Sequence, residues 1–433
     1  MKITGWGNNF NLRSNVLYPQ NNAEIIEILR DKKIEKIICR GLGRSYGDNN
    51  LSSNIISLKD YMKKFKIYKK KRILNCTANI SFRDVKENLI RNGFFFNVTP
   101  GSQNVTIAGA IANDVHGKNH HRDGTFTKYV KEITLITPNG KIISCSQKKN
   151  VKLFRATCGG AGLTGIIISA KIHLIRIYSK NIDVSIIPTN NLKQTITELR
   201  KLNKKKYLIA WMDTINKKNF GRSIIISGEH SKDNNLNFKN KLSFFFPTFI
   251  GKLFLNNFFL KIFNKFYFHF SKRKLYFKQD IDNFFYPLDK IINWNKFYGR
   301  KGFIQIQIII ADKKNLLRIL NKIFLFLNSN KIYSYLTTLK EFGKANKNYL
   351  SFPQNGLTVT LDIPVTDKLT LIYPNFEKIL IKYGVKVYLA KDSLMSKTLF
   401  KKTYKQLNSF MKIKKKIDKN KKFSSLQSER LGI

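Results

Sequence analysis

Three glycine-rich stretches stand within the first 165 residues: Arg40-Gly-Leu-Gly-Arg-Ser-Tyr-Gly-Asp48, Pro100-Gly-Ser-Gln-Asn-Val-Thr-Ile-Ala-Gly109 and Gly159-Gly-Ala-Gly-Leu-Thr-Gly165. Glycine lets backbone N–H groups close on a pyrophosphate that any Cβ would hold off, and such nests favour anions. One loop of this kind is also what a surface turn is made of. Three in one domain, each after a strand or helix signal, point to a large phosphorylated cofactor. The spacing excludes two common ways of holding it: no stretch reads GxGxxG opening a helix with an acid about 20 residues on, and no GxxxxGK[ST] occurs.

The intervening pattern makes an α+β domain over residues 1–176. AEIIEILR after Asn22 and SFRDVKENLIRNG ending at Gly93 read as helices. KIICR, RILNCTANI, YVKEITLITPNGKIIS with an Asn139-Gly140 hairpin turn, and GIIISAKIHLI read as strands. Glycine becomes sparser after Ile177, and IAWMDTI, RSIIISGEH and GFIQIQIIIADKK read as strands of a second domain, 177–380, with a C-terminal segment over 381–433. The most apolar stretch, Leu242 to Phe270, is broken by Lys252, Lys261, Lys265 and several asparagines; Leu255, Phe258, Phe259, Ile262 and Phe266 share one helical stripe. It reads equally as an interfacial helix or flap over a greasy substrate and as a helix packed on the second domain. From Lys401 the chain reads as a basic helical tail, a solvated face first and an anionic-lipid contact second.

The net charge of +52 first brings nucleic acid to mind. Its quality argues otherwise, because 63 of the 79 basic residues are Lys, spread from end to end with Asn, Ile and Phe, as base-composition drift would leave them. Arg is the residue that forks onto guanine edges. Cys39, Cys76, Cys145 and Cys158 form no CxxC pair, which fits a reduced compartment, and neither a signal-like nor a membrane-spanning apolar run occurs. A cytoplasmic protein able to touch a membrane from that side is the expectation.

Three of the six histidines, His116, His120 and His121, fall in Ala112-Asn-Asp-Val-His-Gly-Lys-Asn-His-His121. A zinc site is one reading, but HExxH and a Cys/His quartet are both missing, and a polar wall beside cofactor and substrate suits the residues better. Gln305 and Gln307 alternate with apolar residues in FIQIQIII, as Thr358, Thr360 and Asp362 do in LTVTLDIP. Such rows line a polar pocket or face solvent on a half-exposed sheet.

Taken in order, RGLGRSYGD, PGSQNVTIAGAIANDVHGKNHHRDGTF, GGAGLTGII, FYPLD, FIQIQ and VYLAKDS resemble the decaprenylphosphoryl-β-D-ribose 2-oxidase family of FAD enzymes along nearly the whole chain. The resemblance implies a two-lobed, PCMH-type (vanillyl-alcohol-oxidase-like) FAD domain, a substrate domain built on an antiparallel sheet with helices, and a C-terminal segment returning to the flavin. It implies oxidation of the ribose 2'-hydroxyl of a polyprenyl-phosphoryl sugar to a 2'-keto intermediate, with a short-chain dehydrogenase/reductase partner completing epimerisation to the arabinose form.

Carried over by motif, the FAD contacts are Arg40, Gly41, Leu42, Gly43, Arg44, Ser45, Tyr46, Gly47, Asp48, Gly101, Thr106, Ile107, Ala108, Gly109, Asn113, Asp114, Val115, His116, Ile166 or its neighbour, and Tyr388. The substrate contacts are Gly117, Lys118, Gln305, Gln307, Lys340, Thr358, Thr360 and Lys391. Lys391 is the candidate for the flavin edge or the alcohol, Lys118 for the phosphate, and Tyr46 or His116 for the hydroxyl proton. Relatives of the wider type often link FAD through a histidine in the first loop. Arg44 and no His stands in this one, so the FAD is expected to be non-covalent. Thr358 and Thr360 depart from the amide and cysteine that relatives carry, which leaves the sugar open. A soluble alditol, aldonolactone or other glycan sugar is the alternative substrate; a nucleic-acid-binding protein is the remote one.

Overall fold

The structure, a computed structural model, describes residues 1–215, 220–245, 247, 256–272 and 275–433. The first lobe is a parallel three-stranded sheet of Asn15–Leu17, Asn54–Ser57 and Ile37–Arg40. Helix Asn22–Arg30 covers it, capped by Asn21 and turning Ile25 and Leu29 inward. The second lobe is an antiparallel sheet in the order Ile142–Ser146, Val130–Ile136, Ile166–Arg176, Ile73–Thr77, Phe65–Tyr68, with Phe94–Phe96 pairing the far end of Ile166–Arg176. Helix Phe82–Arg91 packs on it, opened by a capping box between Ser81 and Asp84. Strand Ile166–Arg176 sews the lobes together. Ile166 and Ile168 join the core of the first lobe, while Ile167, Ala170, Ile172 and Leu174 join the second, which is why GIIISAKIHLI reads as nearly continuous apolar residues.

The second domain is one eight-stranded antiparallel sheet in the order Tyr276–Asp280, Asn181–Thr189, Ser223–His230, Tyr207–Met212, Leu336–Phe342, Gly356–Pro364, Phe303–Ile310, Lys386–Val387. Ile304, Ile306, Ile308, Val359 and Leu361 pack one face against helices Leu192–Lys201, Leu316–Ser329 and Asp367–Lys382. Residues on the other face meet in rows: Gln305 opposite Asp362 and that opposite Leu336, then Gln307, Thr360 and Thr338, then Thr358 beside Lys340. Strands Phe303–Ile310 and Gly356–Pro364 are buried along nearly their whole length. The half-exposed-sheet reading of the Gln and Thr rows is therefore overturned: the polar face is turned toward the first domain, not to open solvent.

After Lys386–Val387 the chain turns through Leu389–Lys391 and runs back over the first domain in helices Lys397–Thr403, Leu407–Ile417 and Leu426–Leu431. Phe423 bridges to Ile37, and the amide of Leu426 donates to the Leu51 carbonyl at 2.8 Å. The tail is not simply a solvated basic face. Lys414 is buried and donates to Asp418 at 2.9 Å and to the Phe423 carbonyl at 2.8 Å, while Lys412, Lys415 and Lys416 stay outside.

Within the apolar stretch, helix Asn257–Ser271 packs on the second domain through Leu260, Asn264 and Phe268. The stripe of Phe258, Phe259, Ile262 and Phe266 faces outward, so the packed-helix reading holds for the opposite face only. Lys252 and Leu255 lie outside the described residues. Among the described residues no helix is long and apolar enough to cross a membrane.

Candidate active site

The three glycine loops and the polar face of the eight-stranded sheet border one cavity of about 540 Å³. Its loop end is lined by Arg40–Tyr46, Pro100–Ser102, Val105, Thr106, Ala108, Gly109, Asn113, Ala161, Gly162 and Gly165, and its sheet end by Trp211, Gln305, Thr338, Lys340, Thr360 and Asp362. His116, Lys118, Tyr388 and Lys391 also reach it. The groove therefore joins a place built of backbone to a place built of ionisable side chains.

The loop end is held in shape by contacts that leave no room for a side chain. A Cβ on Gly47 would stand 1.7 Å from the carbonyl oxygen of Asp392, so the first loop lies directly on the segment that carries Lys391. The Tyr46 amide donates to the Ala390 carbonyl at 3.0 Å, and Arg430 ties the two segments together. Its guanidinium donates to Asp48 at 2.8 and 3.1 Å and to Asp392 at 2.9 Å. Gln427 donates to the Leu389 carbonyl at 2.8 Å. Asn113 links the loops as well, accepting from Asn49 at 3.1 Å and from the Tyr388 hydroxyl, through its carbonyl, at 2.8 Å. Gly101 lines the groove with open space where a Cβ would project, as close approach of a bound group requires.

At the other end the charges are buried and cationic. Burial pushes the Lys391 ammonium down and the Asp362 carboxyl up, and each partly restores the other's charged form. Asp362 accepts from Gln305 at 2.6 Å through one oxygen; its other oxygen is buried with no protein partner. Burial also pushes Lys118 down to about 7, and its ammonium donates to the Phe284 carbonyl over that residue's ring. Lys340 lies 3.5 Å from His116 Nδ1, and burial with the neighbouring Lys391 and Lys118 depresses its ammonium strongly. The same burial, with Lys340 and Lys391, keeps His116 neutral, and its Nε2 has no protein partner. Unsatisfied buried atoms on His116, Gln305 and Asp362 are costly unless a ligand meets them. Together with the glycine cradle, these residues fit a bound dinucleotide.

Most residues carried over by motif line the groove, and several do not. Gly47 and Asp48 stand behind the first loop, Asp48 bonded to Arg430. Ile107 is in the core; Asp114 is buried among Thr127, Asn346, Asn348 and Ser351; Ile166 faces the first-lobe core while its neighbours Gly165 and Ile167 line the groove. Gly117 is packed against Thr99, and Gln307 donates to Thr358 at 3.0 Å beneath the floor. These back the wall of the groove and do not line it. His120 accepts from the Gly343 amide at 3.1 Å and His121 meets the Lys205 carbonyl at 2.8 Å, so the three imidazoles have separate partners.

The sequence reading missed Asp362 as a site residue, together with Trp211, Tyr267, Thr338 and Arg430. Asp362 had a signal, its alternation with Thr358 and Thr360. The others had none, because only strand register or the returning C-terminus brings them in.

A family profile described as an FAD binding domain matches residues 14–146, the span holding the first two glycine loops. Over its full length the chain is 29% identical to decaprenylphosphoryl-β-D-ribose oxidase of Mycolicibacterium smegmatis, covering 97% of that protein. It is 28% identical to cytokinin dehydrogenase 2 of Arabidopsis thaliana across 37% of this chain and 33% of that one. It is 26% identical to D-lactate dehydrogenase of Archaeoglobus fulgidus across 37% and 38%. The last two matches cover a third of each chain or a little more. The chain is an FAD-dependent oxidoreductase, similar from end to end to the first of these proteins.

Proposed function

With FAD-dependent oxidation as the premise, we propose that the chain oxidises the 2'-hydroxyl of a polyprenyl-phosphoryl-β-D-ribose to the 2'-keto sugar. A short-chain reductase then completes epimerisation to the arabinose form for cell-envelope glycan, at the inner, anionic membrane face. The observation that carries the reading is the end-to-end similarity to decaprenylphosphoryl-β-D-ribose oxidase, in a chain whose groove is lined by Lys118, Lys340 and Lys391 together with the glycine loops. Three buried lysines whose charged forms burial disfavours, beside one carboxyl, suit a substrate that brings its own anion and so restores their charge.

When bound, FAD supplies the hydride acceptor for oxidation of a CH–OH group. Lys391, reaching the groove from the segment clamped by Arg430, would offer a cation to negative charge on the bound cofactor or the alcohol. His116 is neutral at pH 7, so a lone pair is available for the hydroxyl proton. Lys340 beside Nδ1 decides which nitrogen holds the ring proton: as the neutral amine that burial favours, it accepts from Nδ1–H and leaves the unpartnered Nε2 with the lone pair. Tyr46 is the weaker acceptor, since burial drives its phenol pKa up. Lys118 stands where an anionic group of the substrate can be met. No histidine of the first loop is available to link FAD, and Arg44 instead stacks 3.8 Å over Trp6.

The test is anaerobic bleaching of the purified yellow protein. A polyprenyl-phosphoryl ribose is expected to bleach it, and acid is expected to release free FAD. Bleaching by alditols or aldonolactones with no response to the lipid-linked ribose would sink the reading. A colourless protein whose RNA affinity falls steeply with salt would sink it entirely.

A further inference from the structure

Helix Asn257–Ser271 is built inside out for a helix at a water surface. It buries Leu260, Asn264 and Phe268, of which one is polar, and leaves Phe258, Phe263 and Phe266 more than half exposed, with Ile262 between them. An outward face is ordinarily the polar one. Helix Leu407–Ile417 of this chain shows the ordinary arrangement, with Asn408, Ser409, Lys412, Lys415 and Lys416 outside. Contiguous exposed rings on this scale mark a surface that is covered in use.

Two further observations identify the cover. From Asn256 to Lys272 the chain has no acid, while Lys261, Lys265 and Lys272 are exposed among the rings, a pairing of aromatic anchors and cations that suits the headgroup region of an anionic bilayer. The same helix contributes Tyr267 to the lining of the active-site groove, where Tyr267 packs edge-on to Trp211 at 4.8 Å. Leu288 also lines the groove, and just beyond it Ile291–Ile292 pairs with Phe244–Phe245, whose rings are both exposed. Apolar surface is therefore continuous with the groove wall.

We propose that helix Asn257–Ser271 docks on an anionic phospholipid bilayer, setting the groove against the membrane so that a lipid-linked substrate enters without leaving it. The purpose of the docking rests on the lipid-linked reading above; the docking itself does not.

Flotation of the holoprotein with vesicles of phosphatidylcholine, with and without phosphatidylglycerol, tests it. Binding is expected only with the anionic lipid. Lys261→Glu/Lys265→Glu is expected to weaken it at least about thirtyfold, at about 1 kcal/mol per lipid-facing lysine. Phe258→Ser/Phe266→Ser is expected to weaken it at least about tenfold through lost apolar burial. Both variants should keep their FAD spectrum and their bleaching by a phosphoryl ribose with a truncated, water-soluble prenyl chain. Wild type that ignores anionic vesicles overturns the docking even if it oxidises the ribose. Equal binding by the variants overturns the helix as its site. Phe-dependent self-association without vesicle binding overturns it in favour of a second copy of this chain. Vesicle binding with no oxidation of the truncated substrate leaves the docking standing and removes the substrate reading instead.

Discussion

The two ends of the groove are built on opposite principles. The loop end is backbone, fixed by close approach and by a clamp of Arg430, Asp48 and Asp392 from three distant parts of the chain. The sheet end is side chains on rigid strands, where burial shifts almost every charge and few acids answer the lysines. The first kind of site suits a cofactor shape shared by many FAD proteins, consistent with relatives of other activities that match only part of the chain. The second is where the proposed reading puts the chemistry of one substrate.

The sharpest way to break that division is at Lys391. Lys391→Ala is expected to keep FAD, because the loop end is untouched, while stopped-flow bleaching by substrate slows about a thousandfold, the scale of losing one placed electrostatic group. Bleaching at the wild-type rate removes Lys391 from the chemistry.

Arg430→Met should blur the two ends by loosening the segment that joins them. Removing one partner of a largely buried ion pair costs about 3 kcal/mol and leaves Asp48 and Asp392 unanswered. FAD is expected to dissociate more easily by titration and bleaching to slow together, with partial rescue by Arg430→Lys. Loss of stability with both readouts unchanged would mean that the clamp does not position Lys391.

Gly101→Ala sharpens the contrast from the other side. Its Cβ meets no protein atom, so the melting temperature of the apoprotein should stay put while FAD affinity falls about tenfold, a steric cost borne only by the bound cofactor. An unchanged affinity would place the dinucleotide elsewhere.

The smallest effect is one of pH. Burial holds His120 at about 3, against an ordinary value of about 6.5. As the pH falls, the unfolded chain takes the proton first, so stability is lost from about pH 6.5 downward and the loss ends only near the folded value. At pH 5 this amounts to about 2 kcal/mol from His120. His120→Asn keeps an acceptor for the Gly343 amide, and urea unfolding should show a shallower loss between pH 7 and 5. An identical slope would refute the buried neutral imidazole.

Local signals foretold the local structure. Helices Asn22–Arg30 and Phe82–Arg91 announce themselves through Asn21 and through the Ser81/Asp84 box, and the Asn139-Gly140 turn marks its hairpin. The outward stripe on helix Asn257–Ser271 was legible as a stripe but not as a direction, since periodicity groups residues on a face without saying which face meets the core. Lys414 and Lys416 look alike in KIKKKID, yet one is buried on Asp418 and the other exposed.

By itself the sequence determined that this chain cradles a large phosphorylated cofactor. Glycine at close approach is a property of single residues and their neighbours, readable without any fold. Which polar side chains share the groove with those loops was decided by tertiary structure. Strand register set Asp362 beside Gln305, packing of the segment after the second glycine loop on the large sheet placed His116 against Lys340, and the last helix of the chain brought Arg430 to the segment carrying Lys391. Those contacts join residues tens to hundreds of positions apart. The free energy that fixes them comes from the packing of the whole sheet and its helices, not from any local pattern.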